Sequence, residues 1–119
     1  MRRAFAAVDA GEIINPDGLI NQIEGGMIQS TSWTLHEAVR FDKNGIISRD
    51  WSGYPILTMS EVPEVEVALI DRPDQKPLGA GEAAQGPMAA AIGNAFGHAT
   101  ERRIRDLPLS PERVQTVLG

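Results

Sequence analysis

Asn15-Pro16-Asp17-Gly18-Leu19-Ile20-Asn21-Gln22-Ile23-Glu24-Gly25-Gly26-Met27-Ile28 is the stretch on which the fold turns. Asn15 offers a side-chain oxygen to the first free amides of a helix, Pro16 suits a first turn whose amides are orphaned anyway, and Asp17 sits at the positive helix end. Beyond it Leu19, Ile20, Ile23, Met27, Ile28, Thr31, Leu35 and Val39 recur at steps of three and four, which is one stripe of a helix. Continuous from Pro16 to about Val39, the helix is roughly 36 Å long and crosses the whole domain. Gly25-Gly26 interrupts its centre. A glycine costs about 1 kcal/mol against alanine in a helix interior, so this pair predicts that something, packing or ligand, comes close to the backbone there.

Working outward, residues 3 to 9 read as a short strand feeding a turn at Gly11. Residues 41 to 47 carry the two-residue hairpin signal, with the turn expected at Asn44-Gly45. Tyr54 to Thr58 reads as a further extended piece, where Pro55 points to an edge. Residues 64 to 70 place Val65, Val67 and Leu69 on one face and two glutamates on the other, the pattern of a half-buried strand. After a polar, proline-bearing loop, Met88, Ala91, Ile92, Ala95, Phe96 and Ala99 mark a second helix, which Pro87 opens and which ends near Arg102 to Arg105. Its small residues between Ala89 and Gly97 allow a close neighbour. Ser110-Pro111-Glu112 caps a last short helix up to Leu118. The expectation is a single α+β domain over residues 1–119, a small and mostly antiparallel sheet packed by one long helix and one alanine-rich helix.

At 119 residues the chain can bury a core but is short for an enzyme that also encloses a large cofactor. A net charge of -5 argues against nucleic acid or an anionic membrane as partner, since both need a basic face. With no cysteine, this chain supplies no disulfide, thiolate zinc site, iron–sulfur cluster or cysteine nucleophile. The run from Met1 is basic and then apolar only briefly before Asp9 and Glu12, which is short of a signal peptide, and no apolar run spans a membrane. A cytoplasmic location is the default expectation.

The chemistry-bearing stretch is Gly79-Ala80-Gly81-Glu82-Ala83-Ala84-Gln85-Gly86-Pro87, running into the alanine-rich helix. A carboxylate on a glycine-rich turn is held by backbone, which is what a general base requires. From periodicity alone, Glu82 reads as a surface glutamate beside a helix start. The turn lacks the lysine and serine or threonine of a P-loop and the spacing of a dinucleotide fingerprint. His36 and His98 have no histidine or cysteine at ligand spacing, so no metal site is expected. Trp33, Trp51 and Tyr54 suit core or interface anchors better than ring stacking, and Glu101 to Asp106 reads as a solvated helix end.

The order Gly81-Glu82, then a helix with an alanine-rich start and Asn94, closely resembles the C-terminal signature of the molybdenum hydroxylases, the xanthine dehydrogenase and aldehyde oxidase family. Gln22-Ile23-Glu24-Gly25-Gly26 resembles that family's glutamine-x-glutamate-glycine segment, and Asp9-Ala10-Gly11 and Ile14-Asn15-Pro16 fit its order. The likeness spans nearly the whole chain, from Val8 to Pro108. It implies that Glu82 is the general base beside the molybdenum centre, in a reaction that puts a water-derived oxygen on a heteroaromatic ring or aldehyde. It further implies that Gln22, Gly25, Gly26 and Gly81 face the molybdopterin cofactor, and that the Asp9 and Asn15 segments build structure. Many relatives carry proline after the glutamate, whereas this chain has Ala83-Ala84-Gln85-Gly86 before Pro87. That longer spacing looks like the isoquinoline and nicotinate dehydrogenase branch. The match is to the C-terminal end of a much larger subunit, which implies a fragment, a truncated reading frame or one half of a split subunit. Its implied partners are the remaining portion of that subunit and an iron–sulfur electron-transfer subunit. The competing expectation is a non-catalytic remnant or assembly module docking on another oxidoreductase subunit.

Overall fold

A computed structural model describes residues 1–119. The elements run β1 (Arg3–Asp9), α1 (Pro16–Leu35), β2 (Phe41–Asp42), β3 (Gly45–Ile46), β4 (Glu64–Ile70), α2 (Gln85–Thr100) and α3 (Pro111–Leu118). Both long strands alternate exposed and half-buried residues, as their apolar alternation dictates. Ala4, Ala6, Val8, Val65 and Val67 turn inward onto Ile23 and Met27 of α1 and Met88 and Ile92 of α2, the four-residue centre of the core.

β1 and β4 pair in parallel, from Arg3 opposite Glu64 to Asp9 opposite Ile70. This corrects the mostly antiparallel sheet expected from the sequence, because the antiparallel part is only the two-residue strands of the β2–β3 hairpin. The physical reason is the connection: strands joined through a long helix return in the same direction, whereas a tight turn would reverse them. The α+β class stands, with the parallel ladder as its main sheet.

Element ends differ from the sequence expectation where a distant group intervenes. α1 stops at Leu35 rather than Val39, and at 20 residues is about 30 Å long. Its last turns are rich in Ser and Thr, which favour the helix weakly, and they are claimed by other segments. Ser32 Oγ accepts from the Leu57 amide at 2.9 Å, and the Thr34 carbonyl accepts from the Leu109 amide at 2.7 Å. Residues 54 to 58 therefore join no sheet and are tied by side chains, including a 2.7 Å bond from Tyr54 Oη to Glu37 Oε2 that raises the tyrosine pKa. The hairpin turn is Lys43-Asn44, one residue early, with Gly45 opposite Asp42 at φ +122°. α2 begins at Gln85, so Pro87 is its third residue and still among the amides that need no helical partner. It ends at Thr100 because Glu101 turns left-handed at φ +58° and gives its amide to the Gly97 carbonyl.

The chain leaves much of itself uncovered. Its accessible surface is 8468 Å², against about 6,300 Å² for a free-standing protein of this mass. Its radius of gyration is 16.9 Å, where about 13.5 Å fits this length. A groove of about 500 Å³, floored by Ala4, Ala6, Met88, Ala91, Ile92 and Ala95, runs between α2 and β1. β1 pairs only with β4, so its other edge carries no strand. No helix is long and apolar enough to cross a membrane.

Candidate functional site

Parallel pairing puts the carboxyl ends of β1 and β4 at the same end of the sheet, the end at which parallel sheets commonly gather their ligand loops. The turn after β1 and the loop after β4 are stitched together there. Asp9 Oδ2 meets Arg72 Nε at 2.9 Å while Asp9 Oδ1 accepts from the Gly11 amide at 3.1 Å. The Leu78 amide donates to the Ala10 carbonyl at 2.9 Å and the Glu12 amide to the Gln75 carbonyl at 3.1 Å. Gly11 stands at φ +72° with the Lys76 carbonyl where a Cβ would be. Gly11→Ala should therefore lower stability by at least about 1–2 kcal/mol from the left-handed conformation alone, read as a fall in the denaturant midpoint. The assignment of Asp9, Gly11 and Asn15 to structure agrees with these contacts and with the 2.9 Å bond from the Gly18 amide to Asn15 Oδ1 that caps α1.

From Leu78 the chain runs along α1, where two motifs far apart in sequence meet. Gln22 Nε2 donates to the Gly81 carbonyl at 2.6 Å across 59 positions of sequence. One turn on, a Cβ on Gly26 would touch Gln85 Cγ at 3.4 Å and Ala84 Cβ at 3.5 Å, so this glycine lies under the chain's own turn. Gly25 and Gly81 are exposed, and an added Cβ on either would meet nothing within 4 Å. Glu82 is exposed, and its carboxylate makes no hydrogen bond or ion pair. Gln22 Oε1 is likewise unengaged while its amide nitrogen is used.

Two residues at this junction, Gln29 and Ser30, carried no weight in the sequence. Gln29 Oε1 accepts from Gln85 Nε2 at 2.7 Å, and buried Ser30 donates to the Gln85 carbonyl at 2.8 Å. The available signal was their spacing, since Gln22, Gly26, Gln29 and Ser30 fall on one helix face, but polar residues at helical spacing resemble a solvated surface. Other candidates lie apart from this junction. Trp51 and Tyr54 border a shallow pocket with Ser48, Arg49 and Asp50. His36 Nε2 is 3.8 Å from Glu61 Oε1, and His98 is exposed on α2. The apolar groove beside β1 has a volume of about 500 Å³, yet neither Gln22 nor Glu82 lines it. Its lining has little to orient a polar ligand, so the carboxylate-bearing junction is the better site.

A family model described as the molybdopterin cofactor-binding domain matches residues 1–63, which hold β1, α1 and the hairpin. The chain belongs to the molybdopterin cofactor-binding domain family. Within the xanthine dehydrogenase and aldehyde oxidase group, the chain is similar to a nicotinate dehydrogenase subunit of Pseudomonas putida, 48% identical over 117 residues, covering 98% of this chain and 10% of that protein. It is 37% identical to the beta subunit of isoquinoline 1-oxidoreductase from Brevundimonas diminuta over 113 residues, which are 95% of this chain and 14% of that one. Among solved structures, quinoline 2-oxidoreductase from Pseudomonas putida 86 superposes with a TM-score of 0.81 at 30% identity, over 96% of this chain and 16% of that one. The chain thus spans a small part of each relative's length.

Proposed function

We propose that residues 1–119 form one domain, the C-terminal part of a molybdopterin-binding oxidoreductase subunit, and supply its general base and part of the cofactor wall. The observation that carries this reading is the Gln22–Gly81 bond, which sets the two segments of family-like sequence side by side. When bound, the molybdenum cofactor supplies the redox centre and the oxygen activation that no side chain here provides. The residues fit such a group on three counts. Glu82 offers an unpaired carboxylate, Gln22 offers Oε1 as a free acceptor, and Gly25 leaves its backbone open to close approach. Gly81 and Gly26 serve the same wall, Gly81 through its exposed backbone and Gly26 by admitting the turn.

In this reading Glu82 takes a proton at its carboxylate from the attacking oxygen, and the turn fixes where that carboxylate stands. The names of the relatives, nicotinate, isoquinoline and quinoline enzymes, favour a nitrogen heteroaromatic ring as substrate, with aldehydes the second class. The excess accessible surface, the apolar groove and the unpaired β1 edge support a partner polypeptide carrying the remaining portion of the molybdenum subunit; an electron-transfer partner holding iron–sulfur clusters belongs to the same proposal through the family resemblance alone. A cytoplasmic setting belongs to the same proposal. The competing reading, an assembly module without turnover, draws on the groove's lying away from Glu82.

Metal and pterin analysis separates the two. The purified chain should hold no stoichiometric molybdenum, because it offers one wall of a site that has to enclose most of its ligand. Co-expressed with the rest of such an enzyme, it should yield a complex with both molybdenum and pterin. A complex that assembles without cofactor would support the module reading, and stoichiometric molybdenum in the chain alone would overturn the shared-site reading.

A further inference from the structure

We infer that one face of α1 is a positioning clamp for Glu82, built from Gln22, Gly26, Gln29 and Ser30; the inference rests on the proposed role of that glutamate. The bonds fall on both sides of residue 82. On the amino side, Gln22 Nε2 holds the Gly81 carbonyl at 2.6 Å. On the carboxyl side, the Glu82 carbonyl accepts from the Gln85 amide at 3.2 Å. Gln85 is in turn fixed twice by α1, through its side-chain nitrogen on Gln29 Oε1 at 2.7 Å and through its carbonyl on Ser30 Oγ at 2.8 Å. Gly26 completes the device: Ala84 and Gln85 lie against it so closely that a Cβ there would already be in van der Waals contact at 3.4 Å and 3.5 Å, and a side chain longer than alanine would lift the turn from the helix.

The result is a carboxylate whose backbone is bracketed while its side chain stays free and exposed. That is the arrangement a base needs when the atom it serves comes from elsewhere, because small errors in position cost rate steeply. An ordinary helix contact would not require it. Met88 and Ile92 already pack α2 on Ile23 and Met27 of α1, outside the turn. The polar bonds are spent on the stretch from Gly81 to Gln85. Gln29, Ser30 and Gln85 are accordingly positioning residues, and Gln22 combines positioning through Nε2 with the proposed cofactor contact through Oε1.

The test has two arms. In the chain itself, ¹⁵N order parameters of the Gly81, Glu82 and Ala83 amides should be near the helical value of about 0.85 and should fall toward 0.6 in Gln29→Ala and Ser30→Ala, with the interiors of α1 and α2 unchanged. Gln29 is exposed, so its replacement leaves the core intact even if Ser30→Ala loosens the fold. In the complete molybdenum enzyme, the same two variants should lower kcat per molybdenum about ten- to hundredfold with KM and metal content unchanged. Gln22→Ala, losing both contacts, should lower molybdenum content as well. Wild-type order parameters in both variants would overturn the clamp, as would a loss of metal with kcat per molybdenum intact. Failure of the base assignment itself would show differently, as a Glu82 replacement that keeps turnover while the order parameters still respond.

Discussion

Glu82→Gln is expected to lower turnover per molybdenum by about 10² to 10⁴ in the complete enzyme while leaving cofactor content intact, if the proposed base assignment holds. The amide has the shape of the carboxylate and forms no charge, so the turn and its bonds to Gln22 and Gln85 are undisturbed. What is lost is a lone pair basic enough to take the proton. The expected pattern is a fall in kcat and kcat/KM together, the mark of an interaction made in the transition state. Molybdenum and pterin content, measured on the same preparation, separate that result from simple loss of cofactor. Near-normal turnover per molybdenum would make Glu82 only a carboxylate beside a helix start.

Ile23→Ala removes about 2–5 kcal/mol of stability, the range for emptying a buried aliphatic position. Ile23 is 1% exposed and belongs to a central cluster of only four residues, with Met27, Met88 and Ile92. Against a total stability of about 5–15 kcal/mol for an ordinary domain, and with so much of this chain uncovered, that loss removes a large share of the whole. Denaturant titration should show the midpoint falling with the slope unchanged. Ile14, 72% exposed, is the contrast, and Ile14→Ala should stay within about 0.5 kcal/mol of the parent. Comparable losses at the two positions would place the core elsewhere.

The parts of the fold legible in the sequence are those decided locally. β1, β4 and α3 have the bounds expected because alternation, an N-cap serine and a first-turn proline act within a few residues. Strand direction was not legible, since it depends on how the intervening helix carries the chain back. The two ends of α1 show the difference. Asn15 announces the start, whereas the end at Leu35 is shaped by bonds from Leu57 and Leu109 that no local pattern records. The site divides the same way. Gln22 and Glu82 could each be picked out by resemblance, and the close approach expected at Gly25-Gly26 is present at Gly26. That Gln85 and Ala84 of the chain itself make it, and that Gln22 reaches the Gly81 carbonyl, required the fold.

The parallel pairing of the first strand with β4 also sets an order of events during synthesis. β1 is made first, yet its partner follows only after the long helix and the hairpin have been translated, and Gln22 and Ser30 wait longer still for groups 59 and 55 positions downstream. Contacts so distant in sequence slow folding, because the loop must close before any contact rewards it. Until then the nascent chain presents a bare strand edge and an incomplete helix face. The turn bearing Glu82 thus takes its place only once residues 81 to 85 have been made and have reached α1.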